Sequence, residues 1–363
     1  MKIKRKKTRI IKIGNKKIGG NFPILVQSMT NTPTSNFEKT IKQIKSLEKA
    51  GCEIVRVGVP DLKSAKNISK IKKQIKIPLV ADIHFSAELA IESIEQGADK
   101  IRINPGNFPK NQLKEIVGRA KKRKIPIRIG INSGSLEKDL LIKHNQVTPE
   151  MMVKSALRNI KLMEDLNFYE LVISLKAPDA LRTISAYKML SLKTNYPLHL
   201  GITEAGTEVS GTVKSAVGIG HLLLGGIGDT IRVSLSADPV KEIRVGWEIL
   251  KSLEIREKGA KIVSCPTCAR SEINVIELSQ KIEQITEEME TPIKIAIMGC
   301  IVNGLGEAKE ADLAIVGIKK AALIFKKGKV LKKIPPKKAL GELRKELALK
   351  KIKKKSGNRK INN

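Results

Sequence analysis

The chain reads as α/β, with an N-terminal (β/α)8 barrel of TIM type followed by a small α/β domain built around cysteines. Three observations predict this. Eight short apolar runs alternate with amphipathic stretches between about residues 22 and 250, which is the count and length of a barrel. Polar residues gather at the C-terminal ends of those runs, where a barrel builds its active site. Past residue 259 the rhythm changes, and three of the four cysteines follow there.

The eight runs are 23–27, 53–57, 78–82, 100–104, 126–130, 170–174, 197–201 and 229–233. Between them, apolar residues fall at helical spacing. Ile41, Ile44, Leu47 and Ala50 precede the second run; Leu157, Ile160, Leu162 and Leu166 precede the sixth. Gly51, Gly97 and Gly226 stand where such helices should stop. A doubly wound open sheet is the main rival, but no Gly-x-Gly-x-x-Gly follows the first run. The second region reads as a strand at 261–264, Cys265-Pro266-Thr267-Cys268, a helix to about Glu290 and a strand at 293–298. A Gly-rich stretch at 299–308 and two short strands near 313–317 and 322–325 complete it. The expected boundaries are 1–258 for the barrel, 259–335 for the cysteine-bearing domain, and 336–363 for a Lys-rich, solvated tail with a frayed end.

With 363 residues, 41% of them hydrophobic, the chain can bury a sizeable core and is not intrinsically disordered. No apolar run approaches the length of a membrane span, and no signal-type segment follows the basic N-terminus. A soluble, cytoplasmic protein is expected. The formal charge is +33, and residues 1–20 and 331–363 carry +20 of it. That reads as compositional drift toward Lys rather than nucleic-acid recognition, since aromatics are 3% and no basic segment is interleaved with them.

The strand-end residues are Gln27 and Ser28, Arg56, Asp82 and His84, Arg102 and Asn104, Arg128 and Asn132, Ser174 and Lys176, Thr203 and Glu204, and Arg232 and Ser234. One strand-end Arg alone reads as a surface ion pair. Four that converge on one mouth would be costly without an anion, and guanidinium groups bind phosphate oxygens in pairs. The pattern points to a substrate with more than one phosphate or carboxylate. His84, closing a run, is a candidate substrate contact; His199, inside a run, reads as a hydrogen-bonded core residue.

Cys265 and Cys268 follow one strand and Cys300 follows another. Three thiolates on one side of a small sheet suit zinc or an iron–sulfur cluster. A structural zinc site would want a fourth Cys or His, and none follows Cys300. Three Cys with one exchangeable ligand is the pattern of a catalytic centre. Glu307, on what reads as a Gly-rich turn, is the nearest such ligand. A lone Cys-x-x-Cys redox pair is the bland alternative. Cys52, at the other end of its strand from the mouth, reads as a small buried hydrophobe.

Several long motifs in order now carry a resemblance. They are Val26-Gln27-Ser28-Met29-Thr30-Asn31-Thr32, Val80-Ala81-Asp82-Ile83-His84-Phe85, Arg102-Ile103-Asn104-Pro105-Gly106-Asn107, Gly134-Ser135-Leu136-Glu137-Lys138-Asp139-Leu140, His199-Leu200-Gly201-Ile202-Thr203-Glu204-Ala205-Gly206, Cys265-Pro266-Thr267-Cys268 and Gly299-Cys300-Ile301-Val302-Asn303-Gly304. Over about residues 5–318 the chain resembles the bacterial 4-hydroxy-3-methylbut-2-en-1-yl diphosphate synthase family. The resemblance implies a barrel and a cluster domain without the extra middle domain of plant-type members. It also implies a homodimer in which one subunit's cluster domain closes over the partner's barrel mouth. It makes Cys265, Cys268, Cys300 and Glu307 the ligands of a 4Fe-4S cluster. It assigns the substrate diphosphate to Arg56, His84, Arg102, Asn104, Arg128, Asn132, Lys176, Arg232 and Ser234, and the strand-end Asp82 and Glu204 complete the expected contacts. Leu305 departs from the family's usual Pro, which would loosen the loop holding Glu307 and make the cluster labile. Ser133 and Thr207-Glu208-Val209 also differ from the commonest family residues.

The implied reaction is reductive ring opening of 2-C-methyl-D-erythritol 2,4-cyclodiphosphate with loss of water. Electrons would come from a flavodoxin or ferredoxin, which a basic surface would attract. Two rivals carry less: a non-redox pterin- or phosphosugar-binding barrel with a structural zinc appendage, and a nucleic-acid-binding module using the basic tails.

Overall fold

The computed structural model describes residues 3–141 and 146–357. The chain divides into two units, Met1–Arg256 and Glu257–Asn363.

The first unit opens with an antiparallel hairpin, β1 (Ile11–Ile13) and β2 (Lys16–Ile18). Then strands and helices alternate: β3 (Leu25–Met29), α1 (Phe37–Ala50), β4 (Ile54–Gly58), α2 (Leu62–Lys72), β5 (Leu79–Asp82), α3 (Ala87–Glu95), β6 (Lys100–Ile103) and α4 (Lys110–Arg123). The second half holds β7 (Ile127–Asn132), the short α5 (Lys138–Leu141), α6 (Pro149–Asp165), β8 (Leu171–Lys176), α7 (Ala180–Lys193), β9 (His199–Leu200), α8 (Glu208–Leu224), β10 (Thr230–Ile231) and α9 (Pro239–Ser252). The eight strands β3 to β10 pair in parallel in the order β8-β7-β6-β5-β4-β3-β10-β9. A bridge between Ile173 and Leu198 joins β8 to β9 and closes the ring. Tyr187 strengthens that seam: its hydroxyl accepts the Leu175 N–H at 3.0 Å and donates to the His199 carbonyl at 2.5 Å. This is the (β/α)8 barrel the periodicity predicts.

Side chains alternate strictly along the strands. Outward residues such as Val55, Val57, Ile101, Ile103, Ile127 and Ile129 join the core under the helices. The inward residues at the strand starts, Leu25, Ile54, Val80 and Val172, form an apolar floor with Ile11, Ile13 and Ile18 of the hairpin. The hairpin therefore plugs the N-terminal end of the barrel, and only the C-terminal end can admit a ligand. Gly51, Gly97 and Gly226 adopt φ of 98°, 92° and 74°, the left-handed stops expected of them. Leu162 departs from the expected helical face. It is 38% exposed, and α6 instead packs through Met152, Ala156, Ile160 and Met163, a stripe spaced every three to four residues.

In the second unit, β11 (Ala260–Ser264), α10 (Val275–Thr286), β12 (Ile293–Met298), α11 (Ile301–Glu310), β13 (Leu313–Ile318), β14 (Ala321–Lys326) and β15 (Lys329–Ile334) precede α12 (Ala339–Gly357). The sheet runs β11-β12-β13-β14-β15, parallel through β13 and antiparallel beyond. β15 is an exposed, Lys-rich edge, a composition that discourages edge-to-edge pairing. The expected solvated tail is corrected in part. Ala339, Leu343 and Leu347 of α12 are buried in the core of this unit, because they recur every fourth residue and give an otherwise cationic helix one apolar stripe. The expected frayed end, 358–363, lies outside the described residues.

Candidate active site: a cationic barrel lumen and a thiol-bearing sheet edge

Above the apolar floor the inward residues turn polar. Arg102 lies opposite Asp82 on β5 and opposite Arg128 on β7, so a guanidinium, a carboxylate and a second guanidinium share one level. Arg102 donates to Asp82 Oδ1 at 3.1 Å and to the Gly130 carbonyl at 3.1 Å. Gly130 leaves it room, since a Cβ there would lie 2.2 Å from Arg102 Nε. Arg56 Nε sits 3.6 Å from the other Asp82 oxygen. The half-exposed His84 ring sits at the rim, with Nε2 2.9 Å from Arg102. Burial alone would raise the Asp82 carboxyl, yet Arg56, Arg102 and Arg128 outweigh it and hold it below the usual carboxylate range. Burial draws the Arg56 guanidinium down to about 10, against the pull of Asp82. His84 is lowered by burial and by Arg102.

Across the lumen, Lys176 Nζ stands 3.3 Å from His199 Nε2, and His199 Nδ1 is 2.8 Å from the Thr230 hydroxyl. Burial first, then neighbouring cations, push Lys176 and His199 well below their ordinary values. Arg232 leans on Glu242 of α9, at 3.3 Å. Glu242 is buried and also accepts from the Ser28 hydroxyl at 2.8 Å and the Leu235 N–H at 3.0 Å. Several buried donors in this lumen meet no partner among the described residues: Nε of Arg102, Arg128 and Arg232, Nη1 of Arg128 and Nζ of Lys100. Such groups call for a ligand or water, and a donor-rich, carboxylate-poor lumen calls for an anion.

Four expected residues stand at the strand end of β7 and on the loops above. Asn104 is buried with Oδ1 unpartnered; Asn132 and Ser234 are half-buried. Asn159 ties two of these loops together, accepting from the Gly106 N–H at 2.7 Å and donating to Glu137 at 2.9 Å. Glu204 is exposed, with φ of 50°, a strained conformation of the kind that clusters at functional sites. His199 is fully buried and hydrogen-bonded as expected, although it also touches Lys176. Cys52 is buried, its thiol pushed up to about 12 by burial.

Sequence reasoning missed Lys100 and Glu242. Lys100 had a signal: a lysine inside an apolar run, two residues before Arg102 and so on the same face. Glu242 had none, because one acid in an amphipathic helix looks solvated.

In the second unit Cys265 follows β11, and Cys300 is the N-cap of α11, two residues beyond β12. β11 and β12 are parallel, with Ser264 opposite Ile297, so both thiols lie at one sheet edge. The Gly299 N–H donates to Cys265 Sγ at 3.1 Å. The exposed Cys268 begins a turn pinned to the same edge by the Glu272 N–H on the Gly299 carbonyl, at 2.8 Å. A Cβ on Gly299 would lie 2.4 Å from Ser271 Oγ, so these segments approach closely.

Two expectations are corrected here. Glu307 sits in α11 and not on a Gly-rich turn. Gly304 serves packing, since a Cβ there would meet Val316 at 2.5 Å, and the small residue lets the helix lie against the sheet. Leu305 is therefore inside a helix, where Leu is favoured over Pro by about 3 kcal/mol; it loosens nothing. Glu307 is seven residues from Cys300, roughly 10 Å of helical rise on the same face, and helical side chains tilt back toward the N-terminus.

Among the described residues no three His, Cys, Asp or Glu side chains are gathered closely enough to hold a single metal ion. A cubane cluster spreads its ligands around a larger body than one ion. Three soft thiols and one exchangeable carboxylate suit such a group's irons in kind, and the N-terminal N–H groups of α11 suit the net negative charge of the ligated cluster.

The comparisons agree with this architecture. Residues 8–247 match the GcpE TIM-barrel domain and 261–349 the GcpE protein C-terminal domain. A curated relative from Caldanaerobacter subterraneus subsp. tengcongensis, "4-hydroxy-3-methylbut-2-en-1-yl diphosphate synthase (flavodoxin)", is 59% identical over 94% of this chain and 97% of its own. One of the same name from Ruminiclostridium cellulolyticum is 54% identical over 95% of this chain and 98% of its own. Among solved structures, dihydropteroate synthase from Stenotrophomonas maltophilia superimposes with a TM-score of 0.52 at 14% identity, over 68% of this chain and 98% of that one. That likeness shows the barrel fold alone. With both domains matched in order and relatives identical at more than half their positions, the chain belongs to the GcpE family.

Proposed function

We propose that the chain catalyses reductive ring opening and dehydration of 2-C-methyl-D-erythritol 2,4-cyclodiphosphate to (E)-4-hydroxy-3-methylbut-2-enyl diphosphate, a step of the methylerythritol phosphate route to isoprenoids. Two electrons and two protons enter; a carbon–oxygen bond to the ring phosphate breaks, and one hydroxyl leaves as water. The observation that carries this reading is the lumen of Arg56, Arg102, Arg128, Lys176 and Arg232 with unpartnered donors, in a chain whose relatives bear that activity's name.

Arg56, Arg102, Arg128, Lys176 and Arg232 hold the diphosphate and stabilise the charge that develops on it as the ring opens. His84, Asn104, Asn132 and Ser234 orient it from the rim, and Asp82 keeps Arg56 and Arg102 in place until the substrate arrives. Glu204 faces the substrate's polar groups from its strained loop. Cys265, Cys268, Cys300 and Glu307 would hold a 4Fe-4S cluster. When bound, such a cluster supplies electrons one at a time. Glu307, an exchangeable oxygen donor, also carries a proton for the departing hydroxyl. Flavodoxin or ferredoxin is the electron donor, and the charge of +33 favours such acidic partners. The cytoplasm, where thiols stay reduced, suits the four free cysteines.

The active form is a homodimer in which one subunit's cluster domain covers the partner's mouth. Exposed apolar residues support it: Phe85 beside His84, and Ile301, Val302 and Leu305 beside Cys300.

Purification without oxygen, a visible spectrum, and iron and sulfide counts test the reading. About four of each per chain and flavodoxin-dependent turnover are expected; zinc without iron or sulfide would overturn it. Glu307→Gln should keep its iron and lose most turnover, and near-normal turnover would remove Glu307 from the chemistry.

A further inference from the structure

Lys100 is fully buried in the wall of a barrel, and its Nζ meets no partner among the described residues. It lies one inward position below Arg102, about 7 Å deeper along β6. A lysine stem of four carbons spans most of that drop, so the ammonium can reach the level of the guanidiniums. The groups that face it are cations or neutral. Arg128 comes from β7, Arg56 from β4 and His199 from β9. The carboxylate of Asp82, from β5, is taken by Arg56 and Arg102. Val80 stands opposite it on β5, and Val80, Ile54 and Val172 belong to the apolar floor. Arg128 Nε and Nη1 are sealed and unpartnered as well, and so is the Gln27 amide, whose Oε1 is the lone acceptor among these orphans. A water would find many donors and almost nothing to donate to. An oxyanion fits the set.

We propose that Lys100 is the floor of the anion site, its Nζ joining Arg128 Nε and Nη1 around an oxygen of the innermost phosphate group. This deepens the diphosphate reading given above and rests on it. Burial first, then Arg128 and Arg56, hold Lys100 well below its ordinary value, and an anion bound beside it would raise it again. Binding should therefore draw in a proton.

The test is calorimetric titration of the full-length chain with inorganic diphosphate at pH 8, in two buffers of different ionisation enthalpy. Lys100→Met should bind at least about tenfold more weakly and take up fewer protons per site than the unaltered chain. Its melting temperature without ligand should rise, because a buried polar group without a partner is gone. Lys100→Gln serves in the same way if the Met variant loses its far-UV circular dichroism. Failure of the unaltered chain to bind diphosphate would overturn the functional reading together with this one. Binding by the unaltered chain, matched by both variants in affinity and proton uptake, would make Lys100 a core residue and overturn this proposal alone.

Discussion

Asp82 shows how a single residue holds an empty anion site together. It is the carboxylate that touches both Arg56 and Arg102, at 3.6 and 3.1 Å. Asp82→Asn would leave those buried cations unpaired, at a cost of about 3–5 kcal/mol. A fall in melting temperature is expected, and added inorganic diphosphate should restore more of it than it adds to the unaltered chain. Equal ligand shifts in both would mean that Asp82 does not stand in for a bound anion. The acid side has a definite sign. The folded value is depressed, so this contribution is present above about pH 4 and is lost as the pH falls through the lower folded value.

At the scale of elements, α11 joins the thiols to Glu307. Its closeness to β13 depends on Gly304, and Gly304→Ala would put a Cβ 2.5 Å from Val316. Overpacking of that kind costs about 1–3 kcal/mol, which outweighs the ~1 kcal/mol that Ala gains over Gly in a helix. The expected result is a lower melting temperature and faster loss of iron from the proposed cluster to a chelator; unchanged iron retention would separate the position of α11 from the thiol centre. The hairpin of β1 and β2 was legible in principle. Ile11-Lys12-Ile13 and Lys16-Lys17-Ile18 alternate about Gly14-Asn15, a strong turn signal, yet their lysines read as part of a basic leader. Glu307 was legible as a residue but not as a helical one, because two glycines in four residues mimic a turn until a neighbouring sheet explains them.

For the whole molecule, α8 exposes Val209, Val213 and Val217 at 77%, 58% and 54%, one stripe at every fourth residue. An exposed apolar stripe of this kind marks a candidate contact surface. If the proposed homodimer also packs through this stripe, Val213→Glu should shift sedimentation toward monomer without changing the circular dichroism; unchanged sedimentation would leave the contact at the barrel mouth. The barrel also carries a pH signature. Lys100, Lys176 and His199 all have folded values well below the ordinary ones. Below its ordinary value, and down to the folded one, each binds more protons unfolded than folded. Stability therefore rises with pH by up to about 1.4 kcal/mol per pH unit for each such group. Melting temperature should climb as the pH rises toward the ordinary lysine value of about 10.4, and Lys100→Met should flatten the climb; an equal slope in both would mean that Lys100 does not contribute.

Local sequence was enough for the barrel, the strand-end arginines and the three cysteines beyond it. Period and composition are properties of short stretches, and strand ends in a barrel meet by topology alone. The depth of the site was decided only by tertiary structure. Lys100, Glu242 and Gly304 take their meaning from groups ten or more residues away in the chain, and no local pattern distinguishes a buried lysine from a solvated one. Burial turns each into a specific demand: an anion for Lys100, a guanidinium for Glu242, and bare backbone at Gly304.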